Sequence, residues 1–352
     1  MNLGSLVQLP DVLTQPQAQG ETRYVMGVDG GATKTLAAVL DLKESKLYLG
    51  HGGPSNEDAV GAQAAVKALL GAADEAIEAA GIEASELGAA VLAIAGTDTE
   101  DLACNVRSAR TDAWIVVNDV VAAWASATGG GPGVAAIAGT GSNVFGVGGT
   151  GADARPWRVG GWGHLLGDEG SGYWLGVQSI KAALRDRERS GPRTALSEAA
   201  MRFFKQPSVE AVAASVYTKP LTKGEIAAFA VETSKLAEQG DAVARELYER
   251  GASELAQQIV SVIRQIGLDA DSSDRREEFP VGLIGSAFKA GPVFVEPLTR
   301  DIHACAPHAR VGTVELAPVG GSLLLAARAC GNGEAIAMDG LTRLIDAATN
   351  SK

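Results

Sequence analysis

Short apolar runs alternate along this chain with glycine-rich or polar turns. The runs at residues 23–28, 36–42 and 47–50 have the length and apolar content of strands, and the turns between them are too short to hold a helix. The alanine-rich segment 57–80 instead repeats its apolar positions at helical spacing and is followed by Gly81, a typical residue beyond a helix end. The pattern therefore predicts an α/β protein that begins with three adjacent strands.

The next part of the chain alternates between the two kinds of element. Strands are predicted at 87–95 and 114–117, with a helix over 98–109 between them. The second strand leads through Asp119 into a helix over 120–127. An Asp at such a junction often only caps the helix. The carboxyl end of a strand is also where an open α/β sheet places its chemistry, so both interpretations of this residue stay open.

A glycine-rich segment at residues 129–133 interrupts the pattern, which then starts again. Strands predicted at 134–138 and 144–147 flank a second glycine turn, as strands flank the first. We therefore expect two similarly built halves that face each other, with residues 23–131 in one and 132–352 in the other. Glycine turns of this kind can present backbone N–H groups to phosphate, although neither turn has the spacing of a Walker loop. The turns contain Gly30, Gly31, Thr33 and Lys34 in the first half and Gly139, Thr140, Gly141 and Ser142 in the second.

The second half contains a long helical region and then returns to strands. Helices are predicted within residues 171–267, where Thr222 and Glu225 have the spacing of a capping box and Asp241 precedes a long helical pattern. Strands follow at 281–284 and 310–316, each leading into glycine, and a closing helix is predicted over 323–330.

The segment 160–172 carries the most distinctive chemistry. It holds six glycines around Trp162 and the adjacent carboxylates Asp168 and Glu169. Glycine lets bare backbone approach a small polar ligand. The carboxylates can accept hydrogen bonds from hydroxyls, and the indole can form an apolar wall, which indicates the floor of a sugar or phosphate site. The alternative is a loop whose acids cap the following helix.

Composition limits the remaining choices. With 352 residues and 46% hydrophobic content, the chain is long enough for two lobes. The formal net charge of −12 argues against nucleic acid or an anionic membrane as partner. Residues 1–22 lack the pattern of a signal peptide and are expected to be a flexible leader.

The cysteines and histidines offer little metal chemistry. Three scattered cysteines fit a reducing cytoplasm and cannot form a disulfide framework. His303, Cys305 and His308 lie close in sequence, but no fourth ligand accompanies them and Pro307 interrupts the run, which disfavours a zinc site.

Together these motifs resemble the N-acetylglucosamine kinase family of the actin/hexokinase/Hsp70-like ATPases, a group that includes BadF/BadG/BcrA/BcrD-type ATPases. The resemblance covers residues 24–329 and is most specific at 138–143 and 160–171. It implies a two-lobed, actin-like (ribonuclease H-like) α/β fold. Each lobe would be a mixed sheet with flanking helices, with a helical insertion at about 171–267 and ATP and a sugar in the cleft.

The resemblance also implies roles for individual residues. Asp29 would hold Mg²⁺ through water, and Asp119 would be the base on the attacking hydroxyl. The two glycine turns would bind the phosphates of ATP. The adenosine pocket would be lined by Ala227, Gly285, Ser286 and Lys289, and the sugar would be held by Asn56, Asp119, Gly161, Trp162 and Asp168.

We therefore expect an ATP- and Mg²⁺-dependent kinase that phosphorylates the 6-hydroxyl of N-acetylglucosamine or a close amino sugar. Val159 stands where animal relatives carry a cysteine, which leaves glucosamine, N-acetylmuramic acid and N-acetylmannosamine open as substrates. A cytoplasmic homodimer without nucleic-acid or membrane partners is implied. The alternative is an ATPase activator or chaperone-like nucleotide switch with no sugar acceptor. Such activators hold an iron–sulfur cluster on paired cysteines, an arrangement that Cys104, Cys305 and Cys330 lack.

Overall fold

The computed structural model describes most of the chain. The described residues are 9–10, 13, 22–31, 33–95, 100–110, 114–218, 221–269, 278–333 and 336–350. The predicted leader, residues 1–22, falls almost entirely outside them, as does the start of the helix predicted over 98–109.

The first half of the chain builds a five-stranded mixed sheet. Its strands are β1 Tyr24–Gly30, β2 Thr35–Asp41, β3 Lys46–Gly52, β4 Leu87–Ile94 and β5 Trp114–Asn118. They lie in the order β3-β2-β1-β4-β5. The hairpin β1–β2 and its neighbour β3 are antiparallel, whereas β4 and β5 run parallel to β1. The three predicted opening strands are thus confirmed, with each boundary within two residues of the predicted one.

The second half repeats the same topology. Its strands are β6 Gly133–Ala138, β7 Ser142–Gly148, β8 Arg155–Gly160, β9 Phe279–Ile284 and β10 Ala309–Thr313. They lie in the order β10-β9-β6-β7-β8. Strand β7 is antiparallel to its neighbours β6 and β8, whereas β9 and β10 run parallel to β6. The two sheets therefore match strand for strand, and the expectation of two similarly built halves is confirmed.

Helices flank both sheets. Those of at least eight residues in the described part are α1 Ala62–Ala80, α2 Glu100–Ala109, α3 Asp119–Thr128, α4 Gly172–Glu188, α5 Leu196–Phe203, α6 Val209–Thr218, α7 Lys223–Glu238, α8 Ala242–Gln265, α9 Pro292–His303, α10 Pro318–Ala329 and α11 Met338–Asn350. The predicted caps are confirmed: Thr222 and Glu225 form a capping box at α7, and the Asp241 side chain accepts from the Ala244 N–H at α8. Within the described residues, no helix is both long and apolar enough to cross a membrane.

Three buried clusters hold these layers together. One lies between α1 and the first sheet, and another between the second sheet and the helices of residues 172–303. The third joins the two sheets through α3 and α10 and includes Trp124, whose ring meets the edge of Phe145 at 6.2 Å between centroids. The two halves therefore share a buried core, with their helices α3 and α10 at its centre.

The position of α10 corrects the sequence expectation. The predicted strand over 310–316 ends at Thr313, and the helix begins at Pro318, five residues before the predicted start at 323. Gly320 and Gly321 are therefore helical residues and not a strand-end turn. They are small because a Cβ on Gly321 would overlap the carbonyl oxygen of Ala122 in α3.

The same helix lies directly against β1. A Cβ on Gly27 would stand only 2.7 Å from the Leu323 backbone nitrogen, and the Ser322 hydroxyl donates to the Val28 carbonyl oxygen at 3.0 Å. The close approach of the helix to β1 leaves no room for a Cβ at residue 27, which accounts for this glycine.

Three further elements differ from the sequence expectation. The helix predicted over 57–80 is interrupted at Gly61, whose φ of 80° breaks the helical path. Strand β8 was not predicted, because its mixture of Arg, Pro and Trp lacks clean alternation. Helix α11 was missed as well, since it follows a glycine-containing segment that marked the end of the expected pattern.

Candidate active site

The carboxyl ends of β1, β4 and β5 meet at one edge of the first sheet. Gly30 is paired with Ile94, and Ile94 with Asn118, so the three strands end at the same level. Asp29 lies at the end of β1, and Asp119 follows β5 at this edge. The structure thereby brings two predicted site carboxylates to the carboxyl edge of one parallel strand set, where open α/β sheets bind ligands.

Asp119 is not the residue that caps α3. The N-cap of α3 is Asn118, whose side chain accepts from the Val120 N–H at 3.1 Å. The capping role considered for Asp119 therefore belongs to its neighbour. Asp119 is the first residue of the helix and is half-buried.

The first glycine turn is closed by a hydrogen bond from the Gly31 N–H to the Lys34 carbonyl oxygen at 3.0 Å. Thr33 and Lys34 are exposed on it. Burial raises the pKa of Asp29 to about 6, although the positive charge of Lys34 acts in the opposite direction. A carboxylate that is costly to ionise at this position suits a cation, because a bound cation would stabilise its charged form.

A cavity of about 790 Å³ opens between the two halves beside this turn. From the first half it is lined by Asp29, Lys34 and Leu36, and from the second by residues of the β9 end and the segment before α10. Gly285, Ser286 and Lys289, predicted for adenosine, are among them. The fold therefore places one lysine from each half, Lys34 and Lys289, on the same cavity.

A second cavity of about 340 Å³ adjoins the second glycine turn. Its lining includes Gly139, Thr140, Ala227, Ser286 and Lys289. Ser286 and Lys289 line both cavities, so the two are neighbours. All of these residues were predicted to bind ATP, although they come from widely separated parts of the chain.

The second glycine turn rests on the acidic segment that follows β8. The Asp168 carboxylate accepts a hydrogen bond from the Ser142 N–H at 3.1 Å, and the Ser142 hydroxyl donates to the Glu169 carbonyl oxygen at 2.9 Å. Asp168 is buried, and burial raises its pKa while the Ser142 N–H lowers it. A Cβ on Gly141 would stand 2.9 Å from the same carboxylate, so a side chain at this position would displace the Asp168 carboxylate.

The predicted sugar loop exposes its large apolar side chains. Trp162 is 58% exposed, with the Arg158 guanidinium 5.8 Å from its ring centroid. Gly161, beside it, has a φ of 73° and lies against the Asn143 amide. Leu165 and Leu166 are also exposed. An exposed indole on a glycine-hinged loop offers the apolar face that a sugar ring can stack on.

Asn56 and Asp119 follow strands of the first sheet, and Gly161, Trp162 and Asp168 follow β8 of the second. None of these five residues lines either of the two cavities.

One side chain near this loop was not predicted. Gln258 of α8 donates through Nε2 to Glu169 Oε2 at 3.1 Å and lies against Gly160. It falls within the regular apolar and polar pattern of a long helix, so no local signal marks it. Glu315, which lines the larger cavity, was also missed, because the predicted strand continued through it.

His303, Cys305 and His308 do not form a metal centre. The His303 Nε2 lies 2.8 Å from the Ala309 carbonyl oxygen, and Cys305 Sγ lies 3.8 Å from the Arg264 guanidinium. No cluster of three potential metal-binding His, Cys, Asp or Glu side chains occurs among the residues that the structure covers.

The duplicated mixed sheets, the two glycine turns and the cavity between the halves define a two-lobed protein of the actin-like ATPase class. Residues 26–313 match the BadF/BadG/BcrA/BcrD ATPase family, and the chain belongs to this family.

Comparison with individual proteins agrees with this assignment. The chain is 32% identical over 251 residues to an N-acetylmuramic acid/N-acetylglucosamine kinase of Clostridium acetobutylicum, covering 70% of this chain and 81% of that protein. It is 28% identical over 320 residues to an N-acetyl-D-glucosamine kinase of Dictyostelium discoideum, covering 86% and 97%.

Solved structures show the same fold. A candidate N-acetylglucosamine kinase from Chromobacterium violaceum superposes with a TM-score of 0.68 at 24% identity, covering 87% of this chain and all of that one. A hexokinase superposes with a TM-score of 0.53 at 16% identity, covering 92% and 88%. The predicted two-lobed fold and the family resemblance are thus both confirmed.

Proposed function

We propose that this protein is an ATP-dependent amino-sugar kinase that transfers the γ-phosphate to the 6-hydroxyl of N-acetylglucosamine or a close amino sugar. The cavity between the halves is the observation that carries the proposal. It is lined by Asp29 and Lys34 of one half and by Gly285, Ser286 and Lys289 of the other. The kinase relatives, which the chain matches over most of its length, support it.

The nucleotide would occupy the two adjoining cavities. Adenosine would lie near Ala227, Gly285, Ser286 and Lys289, and the phosphates between the two glycine turns. Backbone N–H groups and lysines compensate the charge of the phosphoryl oxygens, which is the main requirement of phosphoryl transfer. The turn residues assigned to the phosphates are Gly30, Gly31, Thr33, Lys34, Gly139, Thr140, Gly141 and Ser142.

Magnesium fits the first turn through Asp29. Mg²⁺ usually binds one or two carboxylates and completes its coordination with water and substrate phosphates, so a lone carboxylate beside a phosphate turn is a sufficient protein contribution. The raised pKa of Asp29 is consistent with a carboxylate that awaits a cation. The ion would neutralise charge on the phosphates of ATP.

Asp119 would act as the base for the acceptor hydroxyl. It stands at the carboxyl edge of the first sheet, and its neighbour Asn118 takes the capping role. The sugar would be bound between the halves, with Asn56 on one side and Gly161, Trp162 and Asp168 on the other. Closing the halves would bring the two groups together and exclude water that competes as acceptor.

The lobe boundaries are part of the proposal. We assign residues 23–131 to the first lobe and 132–352 to the second, with the helical insertion at about 171–267. Helix α10 of the second half packs on β1 of the first half. A cytoplasmic location and a homodimer are proposed from the family resemblance alone.

The test is a coupled ADP-release assay with N-acetylglucosamine, N-acetylmuramic acid, glucosamine, N-acetylmannosamine and glucose, together with NMR identification of the phosphorylated hydroxyl. We expect ADP release to be strongly stimulated by an N-acetylated amino sugar and the product to carry phosphate at the 6-position. Hydrolysis that no sugar stimulates would favour the nucleotide-switch alternative and refute the kinase proposal.

A further inference from the structure

The loop that carries Asn56 is hydrogen-bonded directly to the first glycine turn. The Ser55 N–H donates to the Gly31 carbonyl oxygen at 3.0 Å. The Thr35 hydroxyl donates to the Gly53 carbonyl oxygen at 2.8 Å and lies 2.9 Å from the Ser55 hydroxyl oxygen. Residues 53–56 are therefore tied to the hairpin at three points.

The two side chains that make these contacts are buried. Ser55 is 0% exposed and Thr35 is 1% exposed. A Cβ on Gly30 would stand 2.5 Å from the Ser55 hydroxyl oxygen, so the loop packs against the bare backbone of the turn. Thr35 is also the strand partner of Gly30. Because a buried hydroxyl is costly without a partner, removing either hydroxyl weakens the whole link.

We propose that Thr35 and Ser55 form a clip that sets the position of the acceptor sugar relative to the γ-phosphate. The clip rests on the proposed function, which assigns Asn56 to the sugar and the turn containing Gly30 and Gly31 to the phosphates. Thr35 and Ser55 are positioning residues and need not touch either substrate. Their role is to hold the acceptor-binding and phosphate-binding segments of one sheet in a fixed relation.

The chemical reason lies in the geometry of transfer. The reacting atoms must approach to about 3–3.5 Å in line, and a displacement of about 1 Å can cost on the order of 100-fold in rate. A loosened clip would leave both substrates bound but poorly aligned. Transfer to the sugar would then slow more than binding, and water would take a larger share of the phosphoryl groups.

The experiment measures ADP and sugar phosphate separately for Ser55→Ala, Thr35→Val and the double variant, with N-acetylglucosamine and ATP. We expect each single variant to lower kcat for transfer by about 10- to 100-fold with KM changed by less than about threefold. ADP formed per sugar phosphate should at least double. The double variant should be no worse than the more damaging single one, because both changes break the same link. Thr35→Ser, which keeps the hydroxyl, should restore most of the loss.

A matched control comes from a second buried hydroxyl pair. Ser179 of α4 and Thr233 of α7 are both fully buried, with their hydroxyl oxygens 2.8 Å apart in the helical insertion. Ser179→Ala and Thr233→Val likewise remove a buried hydroxyl contact, but in the helical insertion and not at the first glycine turn. We expect them to lower the melting temperature without changing the ratio of ADP to sugar phosphate.

The outcomes separate the two proposals. If the parent transfers phosphate but Ser55→Ala and Thr35→Val keep its kcat and its ADP ratio, the clip is wrong and the kinase proposal stands. An equal rise of the ADP ratio in the control pair would also overturn the clip. If the parent phosphorylates none of the sugars, both proposals fail. If Thr35→Val does not fold, the ratio of ADP to sugar phosphate in Ser55→Ala, compared with that of the parent, tests the clip.

Discussion

The Ser142 N–H donates to the Asp168 carboxylate at 3.1 Å, across 26 positions of sequence. This bond fastens the second glycine turn to the acidic segment that precedes α4. Because Ser142 is assigned to ATP and Asp168 to the sugar, this hydrogen bond connects the two predicted parts of the site, as does the bond from the Gly161 N–H to the Ser142 carbonyl oxygen at 3.2 Å. The bond also offsets part of the cost of burying Asp168, whose pKa burial raises.

Gly141→Ala should break this connection. A Cβ at residue 141 would stand 2.9–3.1 Å from three atoms of the Asp168 carboxyl group and would force it away from the Ser142 N–H. We expect kcat/KM for phosphate transfer to fall by at least about tenfold, since the loss of a charge-assisted hydrogen bond costs on the order of 1.5–3 kcal/mol. Gly71→Ala is the control: residue 71 lies in α1 with open space around it, and activity should be unchanged. Equal activity of Gly141→Ala and the parent would contradict the expectation.

Asp119→Asn should remove the base while preserving its size. We expect kcat to fall by about 10²- to 10⁴-fold, the usual contribution of general-base catalysis, with the KM for ATP nearly unchanged. Steady-state kinetics would measure both. Asp153→Asn, in an exposed turn of the second half, should retain full activity. Turnover of Asp119→Asn within a few-fold of the parent would show that another group is the base.

Asp29→Asn should stabilise the protein at neutral pH while impairing catalysis. The pKa of Asp29 is raised from 3.8 to about 6, so the folded state binds its proton more tightly than the unfolded state does. This contribution to stability is full below about pH 3.8 and is lost as the pH rises to about 6. At about 1.4 kcal/mol per pKa unit, the ionised carboxylate costs about 3 kcal/mol above that range, which the amide avoids.

Chemical unfolding of Asp29→Asn and the parent at pH 7.5 and pH 4.5 would show whether the free energy of unfolding changes with pH in the expected direction. The stability advantage of the variant should be largest at pH 7.5 and lose most of its size by pH 4.5. Saturating Mg²⁺ and ATP should stabilise the parent more than the variant, because binding to the folded state adds to its stability. An advantage that did not depend on pH would mean that Asp29 titrates normally.

Trp162→Ala should weaken sugar binding with little effect on folding. The side chain is 58% exposed, so its removal leaves no buried cavity. We expect the KM for the sugar to rise by about 2- to 12-fold, since a stacked aromatic contributes on the order of 0.5–1.5 kcal/mol, whereas the KM for ATP stays constant. Trp157→Ala is a matched control, because Trp157 is 46% exposed on the neighbouring strand. A larger loss of activity in the control would refute the role given to Trp162.

Much of the fold could be read from local pattern. The three opening strands, the glycine turns, the cap at Asp241 and the capping box of α7 were predicted, and the structure confirms them. Each depends on residues within a few positions of one another, where periodicity and turn chemistry act directly. The resemblance on residues 138–143 and 160–171 supplied the family, and the match over residues 26–313 confirms it. The assignments of individual residues to ATP, Mg²⁺ and sugar stay predictions.

Other features depended on contacts between distant residues. The local pattern predicts a turn at Gly320 and Gly321. Nothing within the segment indicates that it is a helix packed against β1 and α3. The sequence alone also did not show whether Asn118 or Asp119 caps α3. The structure shows that the Asn118 side chain accepts the hydrogen bond from the Val120 N–H.

By itself, then, the sequence determined most of the elements, their repetition in two halves and the turns suited to phosphate. The tertiary structure decided which strands pair, that α10 crosses to the first sheet, and that Lys34 and Lys289 share one cavity. The physical reason is that strand pairing and helix packing are selected by burial and shape over the whole core. Local propensity limits those choices but does not make them.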